Sequence, residues 1–123
     1  MELTRHKPED PYFIRSFDND GITVTETRYQ SSLVLSGETL VDEWPVKSVK
    51  ELNEQLLRPI FDLQPEVVIL GTGACQEFPD PKLMMKFYER GIGLEAMTTR
   101  AACRTFNVLR SENRNVVAAL IQG

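Results

Sequence analysis

A chain of 123 residues can hold one hydrophobic core and is too short for two. Hydrophobic residues make up 41%, charged residues 26%, and the net charge is −4, so the chain has no bulk attraction for nucleic acid and carries no basic run to supply one. No apolar run is long enough to insert into a membrane, and the opening MELTRHKPEDPYF has the character of neither a signal peptide nor a transit peptide, which leads us to expect a cytoplasmic protein.

Residues 1–11 read as a flexible lead segment of a single domain, 1–123. Then FIRSFDNDGITVTE alternates around Asn19-Asp20-Gly21, which predicts a hairpin with strands at 13–17 and 21–25. SSLVLSGETLVDEWPV adds strands near 32–35 and 38–43, interrupted at Ser36-Gly37 and ended by Pro45. From Ser48 the period becomes helical. Ser48 to Glu51 fits a capping box, Val49, Leu52, Leu56 and Ile60 share one face, and Pro59 is expected to kink or close the helix. EVVIL is continuous and β-branched, as in a parallel strand covered on both faces.

Asp80-Pro81 opens the next helix, with Leu83, Met84, Phe87 and Tyr88 as its apolar face and Gly91 at its end. IGLEAM is a strand. Thr98 or Thr99 caps a helix to about Arg110 whose inner face uses Ala102, Phe106 and Leu109, and NVVAALI is the last strand. The order α-β-α-β-α-β implies right-handed crossovers and a mostly parallel or mixed central sheet. The early strands either pair at its edge or form a second layer. The class is α/β, a three-layer single domain with an additional N-terminal β layer or hairpin.

Gly71-Thr72-Gly73 after a strand raises the question of a phosphate loop. A dinucleotide fingerprint needs a third glycine where Gln76 stands, with the helix opening inside the motif; here it opens only at Asp80, whose carboxylate repels phosphate. No Gly-Lys-Ser/Thr follows, so the nucleoside triphosphate pattern fails as well. The motif reads as a turn, and no cofactor is expected.

The loop together with GIGLEAMTTRAACRTFNVLRSENRNVVAALI is more specific than either part. It resembles a widespread family of small domains of unknown function whose mitochondrial members include complex I assembly factor three. The resemblance is carried by Gly71, Thr72, Gly73, Gly91, Glu95, Met97, Thr99, Ala102, Thr105, Phe106, Asn107 and Leu109, over roughly Pro65 to Ile121. It implies a three-layer α/β fold, no established enzymatic activity, and an assembly role among the mitochondrial members.

Several side chains merit weighing. Glu95 stands in a strand expected to be covered on both faces, where an ionised carboxylate is costly unless paired. It is either a ligand-binding acid or base, or a structural acceptor, and Glu95→Ala should then cost ~2–4 kcal/mol. Thr72, Thr98 and Thr99 stand at the carboxyl ends of neighbouring strands, where open α/β sheets place ligands; the alternative is capping and turn chemistry. Free amides at the helix start would favour a small anion there, beside Gly71 and Gly73. Arg100 and Arg104 read as solvated charge. Cys75 lacks a nearby histidine base and reads as filler, and Cys103 as helix packing. Thr105 or Asn107 could bond a neighbouring loop such as the Gly-Thr-Gly turn. Trp44 and Phe78 either project towards a partner or fold back onto the core.

With no complete catalytic set, the leading expectation is a non-catalytic domain acting through an unidentified protein partner, in assembly or quality control. The alternative is a small-molecule or anion binder, or an enzyme, using Glu95 and the Gly71–Gly73 loop. One histidine, His6, and two distant cysteines predict no metal site. Elemental analysis of dialysed protein should find far less than one zinc or iron per chain; about one per chain would overturn this.

Overall fold

The computed structural model describes residues 4–6 and 11–122 of the chain. The strands are β1 (Thr4–His6), β2 (Ile14–Asp18), β3 (Gly21–Val24), β4 (Thr27–Tyr29), β5 (Ser32–Leu35) and β6 (Leu40–Trp44). A 3-10 turn, Val49–Glu51, leads to helix α1 (Glu54–Phe61). Then come β7 (Val67–Gly71), α2 (Pro81–Glu89), β8 (Gly93–Met97), α3 (Thr99–Ser111) and β9 (Val116–Leu120). One mixed sheet has the order β1-β6-β5-β9-β7-β8, and β2-β3-β4 form a second, antiparallel sheet. β7 runs parallel to both β8 and β9, while β5 joins β9 antiparallel. The class is α/β, and the early strands take both expected places.

Strand alternation splits the core into two layers, one on each face of the main sheet. Val67 and Ile69 of β7, with Val116, Ala118 and Leu120 of β9, face α3 and the small sheet through Ala102, Phe106, Ile22 and Val24. Val68 and Leu70, with Val117 and Ala119, face α1 and α2 through Leu57, Ile60 and Phe87. All five residues of β7 and of β9 are buried, which is why both read as unbroken apolar runs. The result is three layers, with α1 and α2 on one side and α3 plus the small sheet on the other.

Three local expectations need correction. The helix begins at Glu54, not after Ser48. Ser48 makes no capping bond, Glu51 Oε1 accepts from the Lys47 amide at 2.6 Å, and Leu52 is extended at ψ 135°. Asn53, a strong cap, takes over by accepting from Leu56 N at 2.9 Å. α1 also continues past Pro59 to Phe61. Trp44 takes the second of its two expected places: Glu43 adopts φ 55°, the β5–β6 register slips there, and Trp44 turns into the α1 core at 2% exposure. Its indole N–H donates to Leu56 O at 2.9 Å. On α2 only Phe87 of the expected apolar face is fully buried, and Tyr88 is 77% exposed.

Two short strands escaped the pattern. β4 has three largely exposed residues and no alternation to reveal it. Thr4–His6, within the expected lead segment, pairs with Leu40–Asp42 at the sheet's edge.

The glycines of Gly-Thr-Gly do different jobs. A Cβ on Gly71 would lie 2.9 Å from Thr99 Cα and 3.2 Å from Ala102 Cβ, so this residue lets α3 lie against β7. Gly73 has open space but adopts φ +99°, so it serves the turn. We expect Gly71→Ala to destabilise the fold by about 1–3 kcal/mol through overpacking. Gly73→Ala should cost about 1–3 kcal/mol through backbone strain. Urea denaturation measures both, and a wild-type midpoint for Gly71→Ala would show that α3 can give way.

Candidate functional site

The carboxyl ends of β7 and β8 meet where α2 and α3 leave towards opposite faces of the sheet, the place where open α/β sheets form a crevice. Here the crevice is closed by the chain's own hydrogen bonds. Thr72 N donates to Met97 O at 2.8 Å. The Thr72 hydroxyl lies 2.7 Å from Cys75 O and 3.0 Å from Met97 O, and accepts from Glu77 N at 3.2 Å. Thr72 therefore organises the loop from within, 5% exposed.

Thr99 is buried deeper still, at 1%. Its hydroxyl donates to Ile121 O at 2.7 Å and accepts from Gly73 N at 2.8 Å, and its own amide donates to Gly73 O at 2.9 Å. Gly71 O in turn accepts from Ile121 N at 3.0 Å. This reciprocal stitch ties the Gly-Thr-Gly turn, the start of α3 and the chain after β9 into one unit. Thr98 is the cap of α3, accepting from Ala101 N at 3.2 Å. The expected free amides are thus largely spent, since those of Thr99 and Ala101 already have partners.

A shallow cleft of 430 Å³ remains on the α3 side, lined by Gly73, Thr98, Thr99 and Arg100 together with Phe17, Asp18, Asn19 and Gln122. Thr72 and Gly71 do not line it. Arg100 is not plain solvated charge: its guanidinium lies 5.0 Å from the Phe17 ring centroid, and Nη1 donates to Phe17 O at 3.4 Å. Arg104 borders a smaller groove of 240 Å³ with Arg15 and Asn107. At α2, Asp80 caps as expected by accepting from Lys82 N at 2.9 Å.

Glu95 does not join this cluster. β8 is the last strand of the sheet, and Glu95, opposite Ile69, is exposed. It makes no hydrogen bond or ion pair with any described residue. The expectation of burial is overturned because β8 has a neighbouring strand on one side only.

Asn107 does the loop-binding work anticipated for Thr105 or Asn107, but at another place. Its side-chain amide accepts from Ile14 N at 2.9 Å and donates to Ile14 O at 2.7 Å, joining α3 to the small sheet. Thr105 instead lies 3.4 Å from the Met97 sulfur. Cys75 is exposed, while burial pushes the Cys103 thiol up to about 12, which suits packing and not nucleophilic chemistry. Phe78 is 69% exposed.

A family described as a protein of unknown function, DUF498/DUF598, matches residues 14–121. A mouse protein named NADH dehydrogenase [ubiquinone] 1 alpha subcomplex assembly factor 3 is 35% identical over 111 residues, 89% of this chain and 60% of its own length. The chain thus spans less than two thirds of that relative. A Francisella tularensis protein named 13 kDa major membrane protein is 25% identical over 98% of this chain and 99% of its own. The NMR structure of a Xanthomonas campestris protein superposes with TM-score 0.84 at 41% identity, covering all of this chain and 93% of that one. Among the described residues no helix is long and apolar enough to cross a membrane.

The roles assigned here differ sharply in stability. Thr99→Val leaves the Gly73 amide and the Ile121 carbonyl without their partner and should cost about 1–3 kcal/mol. Thr99→Ser, which keeps the hydroxyl, should cost less. Glu95→Ala should stay within about 0.5 kcal/mol of wild type, as for an exposed surface residue. Chemical denaturation of the three variants decides, and the reverse ranking would refute both assignments.

Proposed function

The chain belongs to the DUF498/DUF598 family, and from that membership we propose that it is a non-catalytic domain that acts through a protein partner, as an assembly or quality-control factor in the cytoplasm. The observation that carries this reading is the internal use of the groups a ligand would need. Thr72, Thr98 and Thr99 spend their hydroxyls on the turn, the helix cap and the strand end. The name of the mouse relative, an assembly factor, supports the same class of action. Exposed Phe78, Met85 and Tyr88 provide apolar surface of the kind partners use.

A second reading, a weak small-anion site, is favoured by one feature. The cleft beside Gly73, Thr98 and Thr99 is bordered by Arg100, though Asp18 stands on the same wall and opposes an anion. Glu95 lies outside that cleft, so an enzyme combining Glu95 with the Gly71–Gly73 loop is not the reading we adopt.

The two readings separate in paired experiments. Cross-linking and affinity isolation from native cells should return a stoichiometric protein partner, while phosphate titrated at fixed ionic strength should leave the amides of 71–74 and 98–101 unmoved. Shifts confined to those amides, with no partner recovered, would replace the first reading by the second.

A further inference from the structure

β8 is an edge strand of the main sheet, and three independent features there describe one kind of occupant. The first is the backbone. Gly93 N donates inward to Glu66 O, and Met97 O accepts inward from Thr72 N, so the alternating ladder turns the N–H and C=O groups of Leu94 and Ala96 outward. The exposed Gln76 side chain reaches one of them, donating to Ala96 O at 2.9 Å. A single replaceable amide therefore covers the carbonyl that an added strand would take.

The second feature is apolar surface on both flanks. Lys86 of α2 lies 3.7 Å from Glu54 of α1, and Arg90 lies over the Phe61 ring at 4.1 Å, so these positions mark the side of α2 that faces α1. With Phe87 buried beneath, helical geometry places Met84 and Tyr88 on the opposite side, above the β8 edge. Across the sheet, Thr105 of α3 reaches Met97, and Val108, one turn on, is 54% exposed. The third feature is charge: Glu95, at the centre of β8, is exposed and unpaired among the described residues.

We infer that the β8 edge is a docking site for an extended segment of a partner protein with the pattern apolar–basic–apolar. An added strand satisfies the outward groups of Leu94 and Ala96. Residues facing those two positions share the α2 flank with Met84 and Tyr88, and the residue facing Glu95 is the basic one. A second copy of this chain is the poorer occupant. In the antiparallel register that pairs Leu94 with Ala96, it sets Glu95 against Glu95, and like charges directly opposite are destabilising. The same carboxylate guards the edge against self-association. This inference rests on the partner-binding reading above and names the surface it uses.

The test is an NMR titration of the intact chain with a synthetic peptide whose core is Val-Lys-Val flanked by threonines. Amide shifts should concentrate at Leu94–Met97 and at the Gln76 side-chain amide. A Val-Glu-Val twin should bind about two- to fivefold more weakly. A twin N-methylated along its pairing edge should not bind, which tests the backbone bonds without altering the protein. Gln76→Ala should tighten binding by uncovering Ala96 O, and Glu95→Lys should reverse the preference between the two cores. No shift at millimolar peptide, shifts centred elsewhere, or concentration-dependent dimerisation through these same amides would overturn the proposal. Cross-links placing a native partner on another face would also overturn it, while leaving the partner-binding reading intact.

Discussion

The close approach of α3 to β7 at Gly71 is the constraint on which the rest of the structure depends. With no Cβ at that point, Thr99 Cα comes near enough for its hydroxyl to reach Ile121 and for its amide to meet Gly73 O. The turn after β7, the start of α3 and the chain after β9 are thereby fixed by one buried side chain. Because Thr99 is almost fully buried, leaving any of these groups unpaired would incur a desolvation cost that water cannot relieve.

The same contact shapes what the protein can do. In many α/β domains the loop after a parallel strand keeps its amides for a ligand; here they are turned back on the protein, so the crevice becomes a joint. Asn107 extends the logic further along α3. By bonding both backbone groups of Ile14, it holds the small sheet against the helix beside a slip in the β2–β3 register. α3 thus becomes the element that links both sheets, and Phe106, wholly buried, fills the space between them.

The two ends of the main sheet are unequal. One is the three-residue β1, Thr4–His6, paired with β6. The other is β8, five residues bearing one charge, with a single side-chain amide over the Ala96 carbonyl. A charge on an edge strand is a usual means of keeping it from pairing with its own kind. It leaves the edge open to a segment of complementary charge, the occupant we propose for it.

Sequence alone determined the order of the elements other than β1 and β4, the buried central strands and the layer count. Runs such as EVVIL and NVVAALI leave no polar face for water, and Asp80-Pro81, Thr98 and Gly91 mark helix ends through local chemistry. The family resemblance was legible too, in the spacing from Gly71 to Leu109. What sequence could not decide was strand position within the sheet, because pairing order is set by contacts between residues far apart in the chain. Glu95 looks buried beside Leu94 and Ala96 until β8 is seen to be the last strand. Whether Trp44 projects outward or folds onto the core is decided by the bend at Glu43, which turns it inward. Thr72 and Thr99 look like ligand groups until their partners, Met97 and Ile121, arrive from other strands to claim the hydroxyls.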